Sequence, residues 1–153
     1  MKKILLQILV VITTLTSCNK DEITVFDEPF VHINFNDISI SNINSNRKDI
    51  VSYYIYLSSK PLDKDMLLDY SIIIGDGLKE GVDFKILTTE YPLVFPIGIY
   101  RRPIQIQWLD NNLDASKDNT LKIKLDSNNL NINIGFPGPD ANQSELILQK
   151  INS

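Results

Sequence analysis

The chain has 153 residues, enough for one ordinary domain. Hydrophobic residues make up 43% and charged residues 22%, a balance that excludes a disordered chain and a multi-span membrane protein. The net charge of -4 leaves no basic stripe for nucleic acid, and a single cysteine excludes an internal disulfide or a thiolate metal cluster.

The amino terminus has the layout of an export signal. Lys2 and Lys3 form a positive start, and an apolar stretch follows from Ile4 to Leu15, broken only by Gln7, Thr13 and Thr14. That stretch is about a dozen residues, whereas a membrane-spanning helix needs roughly 20. It ends in Leu15-Thr16-Ser17-Cys18, which resembles the bacterial lipobox, with cleavage between Ser17 and Cys18 and a lipid on the cysteine. Several acyl chains, at about 0.8 kcal/mol per buried CH₂, hold a protein to a membrane where one would not. A secretory signal with an incidental cysteine is the alternative reading. Residues 1–17 are thus expected to be removed, which takes out Lys2 and Lys3 and leaves 13 basic against 19 acidic residues, a charge of -6. Residues 18–28 then form a lipidated, acidic tether, and residues 29–153 the folded domain. The run Lys20-Asp21-Glu22 resembles the acidic export signal of Bacteroidetes lipoproteins, implying an outer-membrane address with exposure at the cell surface; a solvated tether would read the same way.

Beyond the tether, short runs of β-branched and aromatic residues alternate with Asn, Asp, Ser, Gly and Pro, the texture of an all-β domain. In chain order the expected strands are 30–35, 50–57, 67–74, 83–87, 93–95, 103–109, 120–125 and 145–151, with a short one over 131–134. Pro61–Leu68 holds a turn of helix at most. Alternation puts Val51, Tyr53, Ile55 and Leu57 on one face of their strand, and Ile104, Ile106 and Trp108 on one face of theirs. In Leu121-Lys122-Ile123-Lys124-Leu125 the lysines take the outer face. Period-two patterning with one polar face predicts antiparallel sheets wetted on one side. Seven or eight strands at this spacing predict a single antiparallel β-sandwich of immunoglobulin-like kind, with a small barrel as the alternative.

His32 is the only histidine, so a multi-histidine metal site is excluded. It lies within 30–35 beside Val31 and Ile33, where a half-buried strand histidine is expected. No pair of carboxylates stands out for glycoside hydrolysis. Gly75-Asp76-Gly77 lacks the Lys-Ser/Thr of a phosphate loop and reads as a turn. The connection Gly135–Ser144 before the final strand is a candidate binding loop. Trp108 falls on an apolar face and is expected in the core. Tyr54 and Tyr56 fall on the outward face of their strand, and Tyr91 and Tyr100 in loops, the latter beside Arg101-Arg102. These four tyrosines are the candidate ligand contacts.

From residue 81 onward the motifs fall in a familiar order. Gly81-Val82-Asp83-Phe84, Leu93-Val94-Phe95-Pro96-Ile97-Gly98, Ile104–Asp110, Thr120–Leu125, Ile134-Gly135 and Leu146–Ile151 together resemble the later strands of Calx-beta-like domains. The likeness covers about half of the expected mature chain. With the lipobox, the chain resembles Bacteroidetes-type surface lipoproteins that carry such a sandwich. Calcium-binding members of the family place carboxylates in loops at one end of the sandwich, so the resemblance makes Asp83, Asp110 and Asp114 a candidate Ca²⁺ set. The loop Asp110–Asn119 departs from the family pattern, with asparagines and Asn119 where an acidic run and a glutamate are expected. Hairpin turns rich in Asn and Asp are the favoured reading. No other cofactor is expected. The resemblance implies a non-catalytic surface module that binds or scaffolds, with a glycan or another surface protein as partner. The competing readings are a structural or adhesive module without a small-molecule ligand, and a small hydrolase.

Overall fold

The computed structural model describes residues 28–153. Ser17, Cys18, the Lys20-Asp21-Glu22 run and the tether as far as residue 27 lie outside the described residues. The described chain is all β, with strands β1 (Phe30–Asn34), β2 (Ile40–Asn44), β3 (Ile50–Ser58), β4 (Met66–Ile74), β5 (Phe84–Ile86), β6 (Leu93–Phe95), β7 (Arg101–Trp108), β8 (Thr120–Asn128), β9 (Asn133–Ile134) and β10 (Glu145–Ile151). No helix occurs among the described residues; the segment read as a turn of helix at most runs as loop and then enters β4 at Met66.

The strands form two five-stranded sheets, ordered β5-β7-β3-β1-β9 and β2-β10-β8-β4-β6. Two features correct the sequence reading. The described residues form ten strands rather than seven or eight, and their sheets are mixed rather than purely antiparallel. β1 pairs with β9, and β10 with β2, in parallel. Both parallel partners are five residues or shorter. They sit at sheet edges, joined to their neighbours through long connections rather than hairpins.

Alternation explains why these segments are strands and which way they face. On β3, Val51, Tyr53, Ile55 and Leu57 are buried while Ser52, Tyr54, Tyr56 and Ser58 are half-buried on the other face. Ile104, Ile106 and Trp108 of β7, and Leu121, Ile123 and Leu125 of β8, point inward in the same manner. The inner faces share one core: Val31, Tyr53, Ile106 and Trp108 from the first sheet pack in one cluster with Leu68, Phe95, Ile123 and Leu148 from the second. Each such side chain contributes on the order of 1.5–3 kcal/mol by leaving water. Trp108 is fully buried, and its indole N–H donates to the Tyr53 hydroxyl at 3.0 Å.

Candidate functional site

The outward face of the first sheet carries a continuous strip of rings. β1 and β3 run antiparallel with His32 opposite Tyr56 and Asn34 opposite Tyr54, and β7 lies on the far side with Arg101 opposite Tyr56 and Pro103 opposite Tyr54. Successive outward positions on a strand are two residues apart. Phe30 and His32 therefore share a face on β1, as Tyr54 and Tyr56 do on β3. Phe30 and His32 meet at 5.1 Å between centroids, His32 stacks on Tyr56 at 5.6 Å and 20°, and Tyr56 leans against Tyr54 at 6.3 Å. The Arg101 guanidinium sits over the Tyr54 ring at 4.4 Å, a cation–π contact at the open end of the strip.

Phe136, from the connection after β9, closes the other end by packing on Phe30 at 4.9 Å and on His32 at 5.0 Å. This connection is tied to β1 by backbone bonds from Gly135 N to Val31 O (2.8 Å) and from Ile33 N to Gln143 O (2.9 Å). Its own tight turn needs glycine at 135. There φ is +80°, and an added Cβ would fall 2.3 Å from the Ala141 carbonyl oxygen.

His32 is only 8% exposed, and burial holds its imidazole below the ordinary histidine range. Its Nδ1 is buried without a hydrogen-bond partner among the described residues, as is the side-chain oxygen of Gln143 on the covering loop. Burial thus disfavours the charged form of the ring inside this aromatic cluster.

Of the four tyrosines singled out from sequence, the structure brings two together. Tyr54 and Tyr56 form the middle of the strip. Tyr100 is 37% exposed and immediately precedes β7, where its carbonyl accepts from Leu57 N at 2.9 Å. Tyr91 lies elsewhere: it is 66% exposed and packs on Tyr70 of β4, in the second sheet. Sequence reasoning passed over Phe30 and Phe136 and left His32 as an isolated strand residue. Phe30 was recoverable, because it shares the parity of His32. Phe136 was not, because a loop side chain has no period to place it.

The three candidate carboxylates do not gather. Asp83 is buried and its Oδ1 lies 3.3 Å from Lys150 Nζ. Asp110 pairs with Lys48 at 2.9 Å on the surface. Asp114 accepts from the Ser116 hydroxyl and backbone N–H in a tight turn, and those bonds hold its carboxyl below the usual range. Among the described residues no group of three His, Cys, Asp or Glu side chains could hold a metal ion. Asp83 is also the one buried carboxylate among them.

No protein-family model and no curated protein matches the chain. Among solved structures it is similar to a two-domain protein of unknown function from Bacteroides fragilis, with a TM-score of 0.51 and 12% identity over 82% of this chain. The chain spans less than half of that structure, 46% of its length. At this identity the likeness is one of fold.

Proposed function

We propose that the chain is a non-catalytic, lipid-anchored module of the outer membrane, displayed at the cell surface, that binds glycan on the aromatic face of its first sheet. The observation that carries the binding role is the strip Phe30–His32–Tyr56–Tyr54, with Arg101 at one end and Phe136 at the other. Aromatic faces stack on the C–H faces of sugar rings. Polar side chains on the same sheet supply hydroxyl partners; Gln105 donates to Ser52 at 3.2 Å there. Such a site orients a ligand with few charges and needs no acid–base pair. The anchor rests on Lys2, Lys3, the apolar stretch and Leu15-Thr16-Ser17-Cys18, and the surface address on the acidic run after it.

Strand neighbours support the immunoglobulin-like reading of the two sheets. The row β1-β3-β7-β5 corresponds to an A-B-E-D sheet, and β10-β8-β4 to G-F-C, with β2 as a split first strand beside G. One departure is that the D-like strand β5 precedes β6, the strand beside C, in the chain. The Calx-beta-like assignment rests on the motifs from Gly81 onward.

A structural or adhesive role is the second reading, favoured by the outer face of the second sheet. There Lys122 pairs with Glu145 at 3.0 Å and Lys124 with Asp126 at 3.5 Å, an ordinary solvated surface. A glycan array with the purified protein separates the two. Binding that is lost in Tyr54→Ala and Tyr56→Ala, with the thermal transition retained, supports the glycan reading. Binding unaffected by both substitutions, or no binding to any glycan, would leave the structural role standing in its place.

A further inference from the structure

The last strand contains an anomaly that the aromatic face does not explain. On β10 the inward positions are Leu146, Leu148 and Lys150, and the lysine is as buried as the leucines, with its side chain 0% exposed. Its Nζ lies 2.7 Å from Leu109 O, 3.2 Å from Asp83 O and 3.3 Å from Asp83 Oδ1. The same Asp83 oxygen accepts from the side-chain amide of Asn111 at 2.9 Å. A primary amine and a primary carboxamide therefore meet on one buried carboxylate oxygen. Backbone bonds fix the approach from both sides: Lys150 N donates to Asn119 O at 2.9 Å, and Asn111 N to Ser45 O at 3.2 Å. Phe84 and Trp108, which adjoin Asp83 and Leu109 in the chain, are fully buried.

We propose that Lys150 and Asn111 react with each other to form an intramolecular amide, with Asp83 carrying the protons. Asp83 takes a proton from the Lys150 ammonium, and the freed lone pair on Nζ attacks Asn111 Cγ. A bond forms between Nζ and Cγ. Asp83 gives that proton to Asn111 Nδ2 as the Cγ–Nδ2 bond breaks, then takes the second proton from Nζ and passes it to the departing ammonia. One ammonium is consumed at Lys150, one is released as ammonium ion, and the Asp83 carboxylate is regenerated. No oxidant or other co-reactant enters. Holding amine, amide and acid together, with the amine and the acid buried, makes the reaction effectively unimolecular, which is where such an aminolysis gains its rate.

The link would join β10 of the second sheet to the chain just beyond β7 of the first. It fastens the closing strand to the opposite sheet, as a disulfide would, in a chain whose single cysteine is Cys18. Stabilisation arises in the same way, by restricting the unfolded chain.

Intact-mass and peptide mass spectrometry of the purified full chain test the proposal. Wild type is expected to weigh one ammonia less than a Lys150→Arg variant once the substitution itself is accounted for. Proteolysis should yield a branched peptide joining Lys150 to Asn111. Asp83→Ala keeps both reactants and is expected to restore the mass of the uncrosslinked chain. Wild-type protein that yields Lys150 and Asn111 on separate, unmodified peptides overturns the proposal without reference to any variant. So does an ammonia loss mapped elsewhere in the chain, or a link from Lys150 to Asp83 with loss of water.

Discussion

Tyr53→Phe tests the core where its two largest side chains meet. Trp108 donates its indole N–H to the Tyr53 hydroxyl at 3.0 Å, and both residues are 0% exposed. Removing the hydroxyl leaves the ring packing nearly unchanged but strands a buried donor, at a cost of about 1–3 kcal/mol. For a domain of this size that corresponds to a fall in Tm of roughly 3–12 °C. A second signature lies at high pH. Burial pushes the Tyr53 hydroxyl up to about 12 from 10.0, so the unfolded chain loses this proton first as pH rises. The contribution is fully present below pH 10 and is lost as pH climbs towards 12; two pH units correspond to ~3 kcal/mol. Urea denaturation of wild type and Tyr53→Phe at pH 7 and across pH 9–11 reads both effects. The variant should be less stable at pH 7 and show a shallower alkaline decline. Equal stability at pH 7 together with an unchanged alkaline slope would refute the reasoning.

Two further outcomes follow from the aromatic face and its covering loop. Because burial holds His32 below 6.5, the unfolded chain binds its proton first on acidification. Its contribution is complete above about pH 6.5 and is lost as pH falls, so His32→Phe, which keeps a ring beside Phe30 and Phe136, should flatten the fall in stability between pH 7 and pH 5. An unchanged slope in the variant would show that the imidazole is not the titrating group. Gly135→Ala should cost more than ~1 kcal/mol, since it meets both a left-handed φ and a carbonyl oxygen 2.3 Å away. Gly98→Ala, at φ +81° with open space around it, should cost less. Equal urea midpoints for the two variants would mean that the Ala141 contact does not constrain the loop.

Strand identity was largely legible because burial on one face writes a period of two into the sequence. β6 and β10 begin and end where alternation and turn residues place them. β2 was not legible. Burial alternates along Ile40-Ser41-Asn42-Ile43-Asn44, but the residue types do not: a serine takes one buried position, Ile40 faces outward, and the asparagines give the segment the look of a loop. β8 runs on to Asn128, past the last apolar residue of its pattern, because its neighbour β4 continues beside it through a bulge at Asp69/Tyr70. The parallel pairings of β1 with β9 and β10 with β2 had no local signal. Strand direction depends on which distant segments meet, and alternation does not record that.

Lys150 marks the boundary of what pattern reading extracts. As a residue type it belongs on the surface, and its neighbour Gln149 encourages that view. Its parity says otherwise: two residues beyond Leu148 and four beyond Leu146, it occupies an inward position. A buried ammonium is too costly to exist without partners, so its parity alone demands an acid and further acceptors nearby. Among the described residues the only buried acid is Asp83, 67 positions away in sequence, and that pairing is what the fold supplies. The same contact accounts for the dispersal of the carboxylates that family resemblance had grouped. Lys150 Nζ donates to both the carbonyl and the carboxylate oxygen of Asp83. Asp83 is therefore committed to the closing strand, and Asp110 and Asp114 are left to surface pairs of their own.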